Sequence, residues 1–321
     1  MKRIIIALVV LILYISKTSS LLAEVDLCAT YAELGNAEKT ISECSKQING
    51  KVQVEHIERS YMNRAIAYQL TNRLDEAIAD FSKIIELDPK DDKAYNNRGN
   101  TYLLKSQPDQ ALADFNKAIT LNPINAHAYF NRGVVRQAIG KLDDAITDYS
   151  KVIELNPKVA NAYRNRGNIY LVKNQYEQAV ADFKRSIEFN PNDAETYNSL
   201  GAIHIVQGQI DSAIDEFTEA VKVDPKNDQA TSNRGAAYQA KGRYDLAEAD
   251  YRKALELNPN NVSVYYNMAC LYSLKKNKEE SCSWLLKAVD KGYNNWEHMK
   301  NDRDLENMHG VDCFQKILNN K

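Results

Sequence analysis

The chain has 321 residues, with 41 Lys and Arg against 43 Asp and Glu and a formal net charge of -2. At 44% hydrophobic and 26% charged it has the composition of a folded protein, and its length points to two domains or an elongated array rather than one core. The charge balance excludes a strongly basic nucleic-acid binder, and 12 Gly with 7 Pro excludes a collagen-like or Gly/Pro-rich chain.

At the N-terminus, Lys2 and Arg3 precede an apolar run from Ile4 to Ile15, followed by polar Ser16–Ser20 and by Leu21-Leu22-Ala23. This is the order of a secretory signal, so residues 1–23 are expected to be a leader cleaved after Ala23. The protein would then be exported, to a bacterial periplasm or beyond. The alternative is an uncleaved anchor through residues 4–15, which is the only membrane association the sequence suggests and a short one for a bilayer. Loss of the leader removes Lys2, Arg3 and Lys17 and takes the net charge to -5, which favours solubility.

In residues 24–57, Cys28 and Cys44 each stand eight positions from Asn36, in the turn Gly35-Asn36 between two short helical stretches. A hairpin folded there sets the two cysteines side by side. In an oxidising compartment a disulfide is expected, contributing about 3 kcal/mol for a loop of this size. Two buried free thiols are the alternative. Cys270, Cys282 and Cys313 remain, and an odd total of five leaves at least one cysteine without a partner in the chain.

From residue 58 a period of 34 residues governs the sequence. Pro89, Pro123, Pro157, Pro191, Pro225 and Pro259 keep it, as do Gly99, Gly133, Gly167, Gly201 and Gly235. Ala77, Ala111, Ala145, Ala179, Ala213 and Ala247 keep it again, and an aromatic recurs at Phe81, Phe115, Tyr149, Phe183, Phe217 and Tyr251. Several registers at one period mean an array. Each unit reads as two helices, here 94–105 and 110–121, with Pro108 in the first turn of the second, where its missing N–H costs little. The second helix stops at Asn122, because the residue before a proline leaves the α region. A mid-helix Gly costs about 1 kcal/mol against Ala. The expected compensation is close approach of the first helix to the recurring Ala of the second, with the aromatics filling the gap between hairpins.

Tyr95, Gly99, Tyr102, Ala111, Phe115, Ala118 and Pro123 at this period resemble the tetratricopeptide repeat (TPR). Seven units follow: 58–91, 92–125, 126–159, 160–193, 194–227, 228–261 and a divergent 262–295. The resemblance implies an all-α fold, a right-handed α-solenoid of antiparallel helix pairs. It also implies a non-enzymatic scaffold that binds a peptide or protein segment in a groove lined by the first helices. A structural spacer or self-associating assembly subunit is the alternative. Where the family often has Leu, this chain has Arg64, Arg98, Arg132, Arg166 and Arg234, with Asp80, Asp114, Asp148, Asp182 and Asp250 sixteen residues later. The two units without the Arg, with Leu200 and Met268, also lack the Asp, with Glu216 and Trp284 in its place. An Arg–Asp pair within or between units is expected; a ladder of arginines for an anionic ligand is the alternative.

By resemblance, the groove positions include Asn63, Asn97, Asn100, Phe130, Asn131, Arg164, Asn165, Asn168, Asn233 and Asn267. An Asn offers donor and acceptor together, so a row of them can hold an extended backbone, or can cap and cross-link neighbouring helices. Arg59, Lys93 and Arg164 against Glu195 give the groove a positive balance, which favours an acidic segment. Arg164 and Asn168 match the start of the family's carboxylate clamp, but Ser199, Glu195 and Gln229 replace its later residues, so that partner is not expected.

Residues 285–321, with Gly292-Tyr293 and Asp302-Arg303-Asp304-Leu305, resemble the closing segment of some bacterial arrays, and 296–321 are read as a C-terminal cap. Phe314, Ile317 and Leu318 can cover the last hairpin. No glycine-rich phosphate loop, nucleophile elbow or His-Glu-x-x-His occurs, and the five His are scattered, so no cofactor, metal or catalytic site is expected.

Overall fold

A helical hairpin of this length cannot bury its apolar face alone, so each one needs the next. The computed structural model describes residues 26–50 and 54–319; the leader expected at 1–23 lies outside them. Helices α1 (Leu27–Glu33) and α2 (Ala37–Asn49) form an N-terminal hairpin. Seven pairs follow: α3 (Val54–Leu70) and α4 (Leu74–Leu87), α5 (Asp92–Leu104) and α6 (Pro108–Leu121), α7 (Ala126–Ala138) and α8 (Leu142–Leu155), α9 (Ala160–Val172) and α10 (Tyr176–Phe189), α11 (Ala194–Val206) and α12 (Ile210–Val223), α13 (Asp228–Ala240) and α14 (Tyr244–Leu257), α15 (Val262–Leu274) and α16 (Lys278–Asp290). A short α17 (Trp296–Asn301), a 3-10 turn (Arg303–Met308) and α18 (Asp312–Asn319) close the chain. No strand occurs among the described residues. The fold is an all-α solenoid of antiparallel helix pairs, divided into two compact units, Met1–Lys151 and Val152–Lys321.

The local chemistry sets these boundaries. The side chains of Asp91, Asn125, Asp193 and Asn227 accept backbone N–H bonds at the starts of α5, α7, α11 and α13. Between the two helices of a pair one residue takes a positive φ: Gly140, Gly208 and Gly242, but also Asn72, Ser106, Asn174 and Lys276. Second helices end on residues such as Asp88, Asn122 and Asn258, extended before their prolines.

The recurring glycines face a different partner from the one expected. A Cβ on Gly99 would stand 2.7 Å from the Phe115 ring, and one on Gly133 2.9 Å from Tyr149. Gly167, Gly201 and Gly235 meet Phe183, Phe217 and Tyr251 in the same way. The aromatic therefore fills its own hairpin, in the space the missing side chain leaves, and the recurring Ala is buried beside it.

The Arg and Asp registers meet inside each hairpin. Arg98 donates Nε and Nη2 to the two carboxylate oxygens of Asp114, both at 2.8 Å, and Nη1 to Ser82 Oγ of the preceding hairpin at 3.0 Å. Arg64 does the same with Asp80 and Ser45, and Arg132 with Asp148 and Asn116. In the second unit Arg166 and Arg234 hold Asp182 and Asp250 by two bonds of 2.7 Å each. Tyr95 and Tyr102 flank the Arg98 guanidinium, 5.6 and 6.0 Å from their ring centres. The paired carboxylate holds Arg98 above its ordinary pKa. The Asp side chains are nearly buried, so each rung is a fork-to-fork pair with little water.

The N-terminal hairpin belongs to the stack. Asn63 Nδ2 reaches Cys28 Sγ, 35 residues back, as Asn97 Nδ2 reaches Met62 Sδ. Ser45 receives Arg64 as Ser82 receives Arg98, but Ser45 and Ser82 are 37 residues apart rather than 34. Helix α1 has 7 residues where α5 has 13. This hairpin, α1 and α2 about the turn at Gly35-Asn36, thus breaks the sequence period while keeping the packing. Cys28 and Cys44 lie together in this hairpin, both buried, with Cα atoms 4.7 Å apart. At the other end Cys282 of α16 meets Cys313 of α18, Cα atoms 6.3 Å apart, and Cys270 is the free cysteine. Phe314 and Ile317 are buried at that end, and Leu318 packs on the same core.

Two outcomes follow from this packing. Asp114→Ala leaves Arg98 half-buried without its carboxylate and is expected to cost about 3 kcal/mol. Arg98→Leu combined with Asp114→Ala is expected to recover at least half of that, as measured by urea unfolding, because Leu200 occupies the same register in the fifth unit. Alkylation of the denatured, unreduced protein is expected to label Cys270 alone, and all five cysteines after reduction, as counted by mass spectrometry.

Candidate interaction face

The rungs occupy the side of each first helix that faces its second helix, so the surface left for other work on the first helices is the face turned away. In the first unit, Asn131 Nδ2 donates to Asn96 Oδ1 at 3.0 Å, Asn96 Nδ2 to Asn97 Oδ1 at 3.4 Å, and Asn97 Nδ2 to Met62 Sδ at 3.4 Å. The asparagine row therefore runs from one first helix to the preceding one, each amide 35 residues from its acceptor or beside it. In the second unit Asn233 Nδ2 donates to Asn198 Oδ1 at 2.9 Å, and Gln229 donates to Asn233 Oδ1 at 3.2 Å. Asn165 and Asn168 lie half-buried on α9. These amides cross-link neighbouring helices, the alternative left open by sequence. An amide has two N–H donors and two acceptor sites, so a single bond leaves capacity for a guest.

Between α5 and α7 the relay borders a pocket of about 640 Å³. Its lining includes Asn96, Asn97, Asn100, Asn131, Lys93 and His127. Asn122 and Asn125 close one side, both donating to Asp92 Oδ2, at 3.0 and 2.6 Å. Sequence reasoning placed Asn97, Asn100 and Asn131 here but missed Asn96, Asn122 and Asn125. Asn122 read only as a helix-end signal and Asn125 was not singled out, and the side-by-side placement of helix end and relay appears only in three dimensions. Phe130 is half-buried and turned to its own hairpin, its ring centre 5.7 Å from that of Tyr149.

The positive balance expected for this face is met by the chain itself. Arg164 Nη1 contacts Asp193 Oδ2 at 3.1 Å and Glu195 Oε2 at 3.4 Å, and Arg59 faces Asp26 at 4.0 Å. Asp193, buried, caps α11, so Arg164 ties α9 to the start of α11 rather than standing as a free groove cation.

The same face is covered at the C-terminus. Gln239 of α13 donates to Asp304 at 2.8 Å, Tyr266 of α15 donates its hydroxyl to Asp302 at 2.7 Å, and Asn307 donates to the Ser273 carbonyl at 3.0 Å. Tyr293 stacks on Tyr266 with ring centres 4.3 Å apart. Asn267 therefore lines a small polar cavity of about 320 Å³ together with the chain's own Asp302, Asp304 and His298. Burial, with the Asp302 charge beside it, holds the Cys270 thiol protonated. Burial also raises the Asp304 carboxyl above its ordinary pKa. Among the described residues no group of three or more His, Cys, Asp or Glu could hold a metal ion, and no helix is long and apolar enough to cross a membrane.

The tetratricopeptide repeat family matches residues 58–91, 92–125, 160–193 and 229–261. Two further TPR families match 138–173 and 203–242, and 115–147, 183–215 and 250–282. Together these matches run without a gap from 58 to 282, more than half of the chain. No curated protein matches the sequence. Among solved structures the chain is similar to YrrB, described as a TPR protein with an unusual peptide-binding site, at 24% identity and a TM-score of 0.52, over 58% of this chain and 96% of that one. It is similar to a tetratricopeptide repeat protein from Parabacteroides merdae at 19% identity and a TM-score of 0.55, over 74% and 94%. The pilF protein of Pseudomonas aeruginosa is similar at 17% identity and a TM-score of 0.55, over 72% and 97%. These are likenesses of fold. From the hairpin period, the nearest-neighbour packing and the family matches, the chain belongs to the tetratricopeptide repeat family, whose members are generally protein-interaction scaffolds and not typically enzymes.

Proposed function

We propose that this protein is an exported scaffold that holds an extended segment of another protein against the first helices α5 and α7. The observation that carries the reading is the asparagine-lined pocket between them, with Asn96, Asn97 and Asn100 from α5 and Asn131 from α7 in its lining. Amides pair with a peptide main chain as donor and acceptor at once, whatever its side chains. Asp92 and Lys93 offset each other at the rim, so the guest is read by its backbone more than by its charge. Own carboxylates meet Arg59 and Arg164, which argues against an acidic guest on this face. The peptide-binding site named for YrrB, a protein of like fold, is consistent with this assignment. Export rests on the charged, apolar and small-residue order of residues 1–23, and the Cys28–Cys44 pair suits an oxidising compartment.

The test is in-cell photocrosslinking. A crosslinking residue at Asn100 is expected to trap a discrete protein adduct, and one at Glu86, exposed on α4, is not. Asn96→Ala with Asn131→Ala is expected to lower the Asn100 adduct at least about fivefold while helicity by circular dichroism stays unchanged. Equal adducts from Asn100 and Glu86 would remove the proposed site.

A further inference from the structure

The seventh pair departs from the rung design at all three of its positions. Arg becomes Met268, Asp becomes Trp284, and the acceptor on the preceding hairpin, Ser82 or Asn116 in earlier pairs, becomes Arg252. The fifth pair also departs, with Leu200, Glu216 and Lys184, but it keeps one acid and one base. At the seventh, the ion pair is lost as a whole and one cation, Arg252, is gained.

The result is a pocket of about 510 Å³ formed by α14, α15 and α16. Its floor is apolar and aromatic, made of Leu255, Tyr265 and Trp284, with the two ring centres 5.9 Å apart. Three cations lie over those rings. Lys287 Nζ is 4.1 Å from the Trp284 ring centre, the Arg252 guanidinium is 6.0 Å from it, and Lys291 Nζ is 6.0 Å from that of Tyr265. Among the described residues neither Lys287 nor Lys291 forms an ion pair, and Arg252 uses Nε and Nη2 on Glu248 and Tyr272 while Nη1 has no partner. Of the two carboxylates in the lining, Glu256 is held by Lys253 at 3.0 Å, which leaves Asp290. Trp284 itself is 8% exposed, and its indole N–H is buried with no acceptor. A donor without an acceptor and two lysines without ion pairs are both deficits of negative, hydrogen-bond-accepting atoms.

We propose that this pocket is a second docking site, which takes a short acidic segment of a protein partner: one or two carboxylates set beside an apolar side chain. The carboxylates lie across Arg252, Lys287 and Lys291, and the apolar group lies against Leu255, Tyr265 and Trp284. A long polyanion such as nucleic acid fits less well, because Asp290 and Glu256 interrupt the positive surface and the chain as a whole is acidic. The site stands on α14, α15 and α16 and shares no residue with the asparagine pocket on α5 and α7.

The test uses the full chain carrying Trp296→Phe, so that Trp284 is the one tryptophan and its emission reports the pocket. The probes are the blocked peptide Gly-Glu-Leu-Glu-Gly and its Gly-Gln-Leu-Gln-Gly counterpart. The glutamate peptide is expected to shift Trp284 emission saturably, with a Kd that weakens as salt is raised. The glutamine peptide, and the variant Lys287→Glu with Lys291→Glu, are each expected to bind about tenfold more weakly, equivalent to about 1.4 kcal/mol. Lys83→Glu with Lys117→Glu, and Asn96→Ala with Asn131→Ala, are expected to leave the titration unchanged. The proposal is overturned if the glutamate peptide gives no response at millimolar concentration, or if glutamate and glutamine peptides titrate alike. It is also overturned if the lysine reversals have no effect with helicity intact, if an oligothymidine binds in preference to the peptide, or if the emission shift follows protein concentration, as a second copy would require.

Discussion

A half-buried guanidinium is the constraint on which the stack depends. Its charge cannot be left in a helix interface without a counter-charge, and the Asp sixteen residues on supplies it through two parallel bonds. The remaining N–H of the same fork reaches the hairpin before it, so one side chain ties a helix to its partner and the pair to its neighbour. Glycine and aromatic do the complementary work within the pair, where the absent Cβ at Gly99 is the space that Phe115 occupies. Apolar burial supplies the bulk of the attraction, and the ionic fork fixes which surfaces face each other.

That division of labour decides where function can sit. Residues that hold the stack lie on the second helices and on the inward sides of the first. The first helices of the first unit also carry a row of amides that bond one another and keep donor and acceptor capacity beyond those bonds. At the C-terminal end the chain covers its own first helices, through Asp302, Asp304 and Asn307 on α13 and α15. The proposed guest site is therefore confined to the first unit, and the seventh pair offers a different chemistry on its other side.

Much of this was legible in the sequence because a repeat states each rule several times. The period of 34, the stop before each proline and the paired Arg and Asp registers all correspond to what the helices do. Three things were not legible. The membership of the N-terminal hairpin in the stack was hidden because Ser45 stands 37 residues before Ser82, three out of phase, while holding the same packing position. The glycine partner was misassigned because Ala111 and Phe115 lie on one face of α6, one turn apart, and spacing alone does not say which of them looks at Gly99. The groove charge was overstated because Arg164 and its carboxylate at Asp193 are 29 residues apart and meet only when the pairs stack. Periodicity reports what recurs; contacts made once, such as those of the closing segment, have no second copy to reveal them.

Hydrogen–deuterium exchange on the full chain, with and without the segment identified by crosslinking from Asn100, tests most directly whether the amide face of the first unit receives a guest. The account predicts slowed exchange confined to α5 and α7. Slowed exchange on α4 and α6 with α5 and α7 unchanged would contradict it.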